Sequence, residues 1–305
     1  MSRRRHAGHC SQAGEGLGPF RGTDGRVTIE RVSGRLYVVG TPIGNLGDLS
    51  ERAKRTLGAV DLVAAEDTRR TGKLLAHIGV KARMVSLFEG NEAQRIDEVL
   101  DRLREGDAVA LVSDAGMPAV SDPGFRLLRA AVDEGVDVDV VPGPSAVTAA
   151  LVVSGLPIDR WVFEGFLPRR AGDRRARLRA LAHDPRTVVL FESPLRVVTL
   201  LRDVLVELGD RRAALARELT KLHEEVLRGR VSEVLASVVE SEPRGEMVLV
   251  LDGAQPEEAD LDQMVEEARR LVAEGMRKRE AAAEVARRSG GAANAIYDAL
   301  VRPPG

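Results

Sequence analysis

The segment AVALVSDAGMPAVSDPGF (108–125) begins as an apolar run and continues as a loop with two Asp, two Gly and two Pro. An uninterrupted apolar run of this length is typical of a strand buried on both faces, as in a parallel sheet. Gly and Pro in the loop favour tight turns and close backbone approach. Ligands of open α/β sheets bind beyond the carboxyl ends of the strands, so the segment predicts a ligand crevice there.

Short β-branched runs alternate with amphipathic stretches on both sides of this segment. Further strands are predicted at 35–39, 60–66, 84–87 and 136–141, and helices at 48–59 and 91–106. Strands that alternate with helices at this spacing predict βαβ units and a mostly parallel sheet.

The pattern changes after VPGPSA (141–146), where strand-like runs follow one another more closely. AALAREL (213–219) and EVLRG (225–229) are close enough for a hairpin, so this half predicts a mixed sheet with helices. The tail after Glu257 is predicted to be helical throughout, broken only at Gly290-Gly291. We expect four parts: an N-terminal extension (1–33), an N-terminal α/β domain (34–142), a C-terminal α/β domain (143–254) and a helical module (255–305).

Composition excludes several classes of protein. Of the 305 residues, 44% are hydrophobic and 30% charged, as in a globular protein. No uncharged apolar run reaches about 18 residues, so no membrane span is predicted. The single Cys10 excludes an internal disulfide, and the five His residues lack metal-binding spacing, so no metal is expected. The basic start leads into Gly-rich polar sequence, which predicts a disordered extension and not a secretory signal.

Two more loops at predicted strand ends are rich in small residues and proline. They are VVGTPIGNLGDLS (38–50) and VVPGPSAVTAAL (140–151), and in the second Ser145 is placed to cap the next helix. None of the three loops matches the dinucleotide-binding or phosphate-loop motifs. The residues alone therefore predict a small-molecule crevice whose ligand stays open.

Seven blocks resemble the bacterial ribosomal RNA small subunit methyltransferase I family, which has the tetrapyrrole-methylase fold. They are GTPIGNLGDLS, AAEDTRRTGKLL, ALVSDAGMPAVSDPG, VPGPSA, FEGFLPR, LFESPLR and RELTKLHEEVLRG, in order between about Gly34 and Gly253. The segment KREAAAEVARRSGGAANAIYDAL is similar to the helix-turn-helix-like module of that family. The resemblance implies an α/β fold of two domains, a cofactor cleft between them and a small C-terminal helical module.

The same resemblance implies an activity and its partners. The expected reaction is S-adenosylmethionine-dependent 2′-O-methylation of a cytidine ribose in the decoding centre of 16S ribosomal RNA. The expected substrate is the assembled small ribosomal subunit, because a net charge of −2 gives little general affinity for RNA. A homodimer in the cytoplasm, without membrane association, is also expected.

The cofactor-binding residues implied by the resemblance lie in five short segments. They are Pro42; Ser113, Asp114, Ala115, Gly116 and Ser121; Pro142, Gly143, Pro144, Ser145 and Ala146; Phe166 and Leu167; and Gly245, Glu246 and Met247. Met117 departs from the family, which more often has Thr there, so any hydroxyl contact at this position is lost.

Three residues are candidates for a general base, which would activate the weakly nucleophilic ribose hydroxyl. Glu66 and Asp67 follow a predicted strand, and because neighbouring strand residues face opposite sides, only one can face the cleft. A helix cap is the alternative for Asp67, and a structural role is the alternative for His223. The sequence leaves the base unassigned among Glu66, Asp67 and His223.

Basic and amide side chains near the loops are candidates for RNA contacts. They are Asn45, Arg69, Arg70, Lys73, Asn91, Arg169, Arg170 and Lys221. The stretch LPRRAGDRRARLR (167–179) holds six arginines, whose guanidinium groups suit phosphate contacts. A solvated helix face is the alternative for this stretch, since arginine replaces lysine along most of the chain. Turn roles are equally compatible with Asn45 and Asn91.

Two other functions stay open on the residues. A methyltransferase of the same fold that acts on a porphyrinoid would share the cofactor loops, but typically lacks the EDTR and TKLHEE blocks. A noncatalytic nucleotide- or RNA-binding protein could keep the fold, although a decayed site would tolerate bulkier residues in the loops.

Overall fold

A computed structural model describes residues 34–241, 244–254, 261–289 and 292–301. The predicted extension (1–33) lies outside these ranges. Two five-stranded sheets and the helices that cover them form the body of the described chain. No helix within the described ranges is long and apolar enough to cross a membrane.

The first sheet is parallel throughout and has the order β3-β2-β4-β1-β5. Its strands are β1 (Arg35–Val39), β2 (Leu62–Ala65), β3 (Met84–Ser86), β4 (Ala108–Val112) and β5 (Asp137–Val141). The prediction of a parallel α/β sheet is thereby confirmed. The central strands β2 and β4 are almost entirely buried, which explains their uninterrupted apolar sequence.

Helices cover both faces of this sheet. They are α1 (Glu51–Ala59), α2 (Thr68–His77), α3 (Glu92–Arg104) and α4 (Phe125–Asp133). Leu57 and Leu75 place α1 and α2 on one face, whereas α3 and α4 pack on the other. The helices that follow the neighbouring strands β1 and β4 therefore lie on opposite faces of the sheet. In open α/β sheets the ligand crevice lies between two such strands.

The second sheet is mixed and has the order β6-β7-β10-β8-β9. Its strands are β6 (Trp161–Phe166), β7 (Thr187–Glu192), β8 (Arg212–Arg217), β9 (Glu225–Arg230) and β10 (Met247–Leu251). Strands β6 and β7 are parallel and the other pairs antiparallel. The predicted hairpin is confirmed as β8–β9.

One face of the second sheet is turned towards the first. Helices α6 (Ala171–Ala180), α7 (Val197–Leu208) and α8 (Val231–Glu240) cover the far face. Helix α5 (Ala146–Ser154) packs on the near face, in one apolar cluster with Ile43 and Ala115 from the loops of the first sheet. This shared cluster joins the two sheets.

The C-terminal residues form three helices around their own core. They are α9 (Leu261–Ala273), α10 (Lys278–Ser289) and α11 (Ala293–Val301), and Ala268, Val285 and Ile296 are buried between them. The predicted break at Gly290-Gly291 lies outside the described residues. The prediction that the tail is otherwise continuously helical is wrong, because a turn separates α9 from α10. Gly275 in that turn has φ +103°, a conformation that an L side chain rarely adopts.

A buried ion pair fastens α6 to α7. The carboxylate of Asp203 accepts from Arg174 Nε at 2.7 Å and from Arg175 Nε at 2.8 Å. Asp203 is 2% exposed and Arg174 6%. Burial raises the pKa of Asp203, but the hydrogen bonds from the two guanidinium groups outweigh it and the pKa is lowered. The arginine-rich stretch is therefore partly structural.

Asp203→Ala should destabilise the protein by about 3–5 kcal/mol, because it leaves the Arg174 guanidinium buried without its partner. Asp133→Ala is the matched control: it breaks the exposed Arg129–Asp133 pair, 3.7 Å apart, and should cost less than about 1 kcal/mol. Urea denaturation measures both free energies of unfolding. Equal losses in the two variants would contradict the structural role of Asp203.

Candidate active site

The loops after the neighbouring strands β4, β1 and β5 meet at the switch point between β1 and β4. Thr41 and Gly116 exchange backbone hydrogen bonds of 2.9 and 3.1 Å. Gly40 and Gly143 approach so closely that a Cβ on Gly40 would lie 2.6 Å from the Gly143 nitrogen. A larger residue would separate the loops, so these glycines are required by packing.

The second sheet contacts the same loops at two places. A Cβ on Gly44 would lie 2.5 Å from Lys221 Cγ, so the β1 loop touches the turn between β8 and β9. Gly165 has φ +60° at a bulge in β6, and its Cβ would lie 2.9 Å from Ser121 Oγ in the β4 loop. These two contacts bound the cleft between the sheets.

A cavity of about 450 Å³ lies between the sheets. Its apolar lining is supplied by Ile43, Met117, Val120, Phe166, Phe191, Leu219, Met247 and Val248. Its charged lining consists of Glu66, Asp114, Asp122, Glu192, Glu246 and one basic residue, Arg70. The volume is within the usual range of small-molecule sites, about 300–1,000 Å³. The excess of carboxylates suits a ligand with a positive charge.

The strand ends of β2 and β4 are cross-linked by their acidic residues. Glu66 accepts from the Asp114 backbone nitrogen at 3.1 Å, and Asp114 accepts from that of Asp67 at 3.2 Å. Arg70 forms an ion pair with Asp114 at 3.3 Å. Burial raises the pKa of both Glu66 and Asp114. Proton affinity is thus elevated along this wall of the cavity.

Asp122 has the most altered acidity in the cavity. Burial, followed by the charge of Glu66, raises the pKa of its carboxyl to about 7, and the hydrogen bond with Ser113 opposes this only in part. Asp122 lies in the loop 113–125 but is not among the residues predicted from the sequence to have a role in the site. The presence of two Asp residues, Asp114 and Asp122, in one loop was the signal in the sequence that could have pointed to Asp122.

A second cavity of about 350 Å³ adjoins the first and shares Arg70, Asp114 and Glu246 with it. Lys73 and Lys221 belong to its lining. Lys221 Nζ donates to Glu218 at 2.9 Å and to Glu246 at 3.1 Å. Burial lowers the pKa of Lys221, but these hydrogen bonds outweigh it and the pKa is raised. This cavity combines basic and acidic groups at the edge of the acidic one.

Most of the predicted cofactor residues line one of the two cavities. Asp114, Ala115, Gly116, Ser145, Ala146, Phe166, Gly245, Glu246 and Met247 line the larger, and Pro42 and Ser113 the smaller. Five residues line neither: Ser121, Pro142, Gly143, Pro144 and Leu167. Gly143 supports the loops from behind, and Leu167 is buried in the core of the second sheet.

Ser145 does not do what its position predicts. It occupies the N-cap of α5, but its side chain makes no capping hydrogen bond. The expected cap is therefore wrong, and the residue lines the cavity instead. Because it makes no capping hydrogen bond, the Ser145 hydroxyl is available to a ligand.

The three candidate bases lie in different surroundings. Glu66 lines the larger cavity, whereas Asp67 caps α2 by accepting from the Arg69 nitrogen at 2.8 Å. His223 is exposed and lines neither cavity. Of the three, Glu66 is the one that lines the larger cavity.

The predicted RNA-contacting residues fall into three groups. Arg70, Lys73 and Lys221 line the smaller cavity, and Arg169 and Arg170 are exposed just beyond Phe166 at the end of β6. The other three have local partners: Asn45 caps the turn at Leu46–Asp48, Arg69 pairs with Asp67, and Asn91 bonds the Phe88 nitrogen and Ser86 oxygen. These local bonds match the turn roles held open for Asn45 and Asn91.

The described ranges hold no group of three or more His, Cys, Asp and Glu side chains arranged for a metal ion.

Comparison with known proteins connects this cleft to one family. Residues 35–235 match the model of the Tetrapyrrole (Corrin/Porphyrin) Methylases. The ribosomal RNA small subunit methyltransferase I of Thermotoga maritima is 50% identical over 222 residues, covering 73% of this chain and all of that protein. This chain belongs to the ribosomal RNA small subunit methyltransferase I family. The Mycobacterium tuberculosis member is 46% identical over 274 residues, covering 88% of this chain and 95% of its own length.

Solved structures of methyltransferases share the fold of this chain. The uroporphyrin-III-C-methyltransferase of Thermus thermophilus superposes with a TM-score of 0.52 at 24% identity, over 72% of this chain and 94% of that one. A cobalt precorrin-4 methyltransferase gives 0.53 at 21% identity, over 71% and 94%. At these identities the likeness establishes that this chain shares their fold.

The acidity of Asp122 predicts a pH-dependent stability. Between about pH 4 and pH 7 the native carboxyl keeps a proton that the unfolded chain has lost, so this group lowers the free energy of unfolding as pH rises. Asp122→Asn removes that loss. In urea denaturation, the variant should therefore gain stability relative to the parent protein between pH 5 and pH 8. A difference that does not change with pH would contradict the raised pKa.

Proposed function

We propose that this protein methylates a ribose 2′-oxygen of a cytidine in the decoding centre of 16S ribosomal RNA, with S-adenosylmethionine as methyl donor. The observation that carries the proposal is the acidic cavity between the two sheets, in a chain 50% identical to a ribosomal RNA small subunit methyltransferase I over 222 residues. Sequence similarity supports the class of reaction, and the cavity supports the class of donor.

The residues of the larger cavity fit S-adenosylmethionine. Its volume of about 450 Å³ is sufficient for a nucleoside with an amino-acid tail. Phe166, Met247 and Ile43 provide apolar surface for an adenine ring, and the excess of carboxylates complements the positive sulfonium. The uncommitted Ser145 hydroxyl adds a polar contact. When bound, the cofactor supplies a methyl group on an already activated leaving group.

The protein's contribution to such a transfer is chiefly orientation. Correct alignment of two reactants can lower a barrier by roughly 7–11 kcal/mol. The hydrogen bonds between Thr41 and Gly116 hold the β1 and β4 loops of the first sheet together. In this proposal Lys73 and Arg70 hold the RNA at the smaller cavity, next to the larger one. Lys221 lines the same cavity, and Asn45 and Arg69 are next in sequence to its lining residues Gly44, Leu46 and Arg70.

The exposed arginines beyond β6 support a polynucleotide substrate. Four of the six arginines in 167–179 are paired with acidic residues: Arg174 and Arg175 with Asp203, Arg177 with Glu164 and Arg179 with Glu207. Arg169 and Arg170 form no ion pair with any residue of the described ranges. Unpaired guanidinium groups at the mouth of a cleft suit phosphate oxygens.

The assembled small subunit is the substrate that we favour over naked RNA. With a net charge of −2 the chain lacks a broad basic surface, so recognition depends on a few local contacts and on the folded shape of the RNA. A cytoplasmic location follows from that substrate. The porphyrinoid alternative gains no specific support, because those relatives share only the fold.

A homodimer is part of the proposal. Phe125 and Val132 lie seven residues apart on α4 and are 59% and 57% exposed, and apolar residues at this spacing share one helix face. Light scattering of the purified protein measures the mass directly. A monomer at micromolar concentration would remove this part of the proposal without affecting the activity.

The activity is tested with labelled S-adenosylmethionine and small subunits from a strain that lacks the modification. We expect label in 16S RNA at one cytidine that then resists alkaline cleavage. Free 16S RNA should be labelled more slowly. Absence of label on both substrates, with cofactor binding confirmed by calorimetry, would refute ribosomal RNA as the substrate.

The variant Arg169→Glu/Arg170→Glu should lower kcat/KM for small subunits at least about tenfold, because it replaces two phosphate contacts by repulsion. Its affinity for S-adenosylmethionine should not change. Lys81→Glu/Arg83→Glu is the matched control. It changes the charge equally at exposed residues just before β3, an edge strand of the first sheet. Equal activity of the two variants would exclude Arg169 and Arg170 from RNA binding.

A further inference from the structure

Asp122 and Glu66 differ from the other three carboxylates of the larger cavity, each of which has a basic partner: Asp114 pairs with Arg70, Glu192 with Arg196 and Glu246 with Lys221. Glu66 instead accepts a hydrogen bond from the Asp114 backbone nitrogen at 3.1 Å. Asp122 is half-buried and lines the larger cavity, and the nearby Ser113 hydroxyl lowers its pKa. No Lys or Arg of the described ranges pairs with it. Its charge is therefore left for a ligand to complement.

The loop that carries Asp122 is held in one conformation. Ala119 and Ser121 have φ of 67° and 62°, values that residues other than glycine rarely adopt. Glu92, 6% exposed, accepts from the backbone nitrogens of Gly124 at 3.1 Å and Arg126 at 3.0 Å. These bonds fix the loop from behind, so the carboxyl keeps its place in the cavity wall.

The groups that face Asp122 come from three elements. Glu66 lies at the end of β2, Asp114 in the β4 loop and Glu246 just before β10. All three are acidic and raise its pKa, whereas the Ser113 hydroxyl lowers it. Burial acts in the same direction as the acidic neighbours and is the larger cause, which brings the pKa to about 7. A positively charged ligand beside Asp122 would lower the pKa of its carboxyl, because it would stabilise the ionised form.

We propose that Asp122, with Glu66 beside it, accepts the proton that the ribose hydroxyl loses during methyl transfer. This inference rests on the proposed function. The hydroxyl O–H bond breaks and its proton moves to the Asp122 carboxylate, while an oxygen electron pair forms the new O–C bond. The electron pair of the broken C–S bond stays on sulfur. One positive charge and one carboxylate charge disappear together, so the net charge of the cleft is conserved.

Conservation of charge is the physical reason for the arrangement. In a buried site, an uncompensated charge is costly before or after the reaction. Asp122 is ionised while a sulfonium is beside it and becomes protonated when a neutral thioether is left. A carboxylate already paired with Arg or Lys, such as Asp114, would be a weaker base.

The first test needs no RNA. Calorimetry in buffers of different ionisation enthalpy counts the protons exchanged on binding at pH 7. S-adenosylmethionine should release protons from the protein, because its positive charge ionises Asp122, whereas neutral S-adenosylhomocysteine should release fewer. Asp122→Asn should abolish this difference, and the surface control Asp133→Asn should keep it. Equal proton release for the two ligands in the unsubstituted protein would overturn the proposal.

The second test measures single-turnover methylation of small subunits across pH. Asp122→Asn should lower the rate about 10²–10⁴-fold and lose the rise of rate with pH, because general base catalysis contributes a factor of this size. Asp122→Glu, which keeps a carboxylate, should restore part of the rate. A thermal melt of each variant verifies its folding.

The outcomes of the second test separate the two proposals. If Asp122→Asn methylates with the rate and pH profile of the unsubstituted protein, Asp122 is not the proton acceptor and the proposed function stands. If the unsubstituted protein labels no ribose, the proposed function fails and this role fails with it. Lost affinity for S-adenosylmethionine at an unchanged single-turnover rate, measured with saturating cofactor, would also overturn it.

Discussion

The close backbone approach of Gly40 and Gly143 is the constraint on which the cleft depends. A Cβ on either glycine would lie within 3 Å of the other loop, so the loops after β1 and β5 could not meet. The paired hydrogen bonds of Thr41 and Gly116 then tie the β4 loop to the same point. Because these loops form the floor, their packing decides where the second sheet can dock.

The two cavities differ in their balance of charge. Carboxylates outnumber basic groups in the larger cavity, whereas in the smaller one Arg70, Lys73 and Lys221 outnumber Asp114 and Glu246. A positive cofactor and a polyanionic substrate require opposite surroundings, and the two cavities provide them side by side. In the proposed function, these basic groups would bind RNA locally although the net charge of the chain is −2.

Local sequence patterns predicted most of the fold and part of the site. The apolar run of β4 indicated a buried parallel strand, and the hairpin of β8 and β9 followed from the short connection between them. The capping role predicted for Ser145 was wrong, because its side chain makes no bond to α5, but the family resemblance had implied its place beside the ligand and it lines the cavity. Asp122 was missed because burial and Glu66, far away in the chain, create its acidity.

The amino-acid sequence by itself determined the strands, the helices, the turns of the three loops and the family to which the chain belongs. These depend on periodicity, on glycine and proline, and on motifs within a few residues of one another. Tertiary structure alone decided which carboxylates share a cavity and which arginines are already paired. Burial and through-space charge act between residues distant in sequence, as for Asp203 between Arg174 and Arg175, and no local pattern records them.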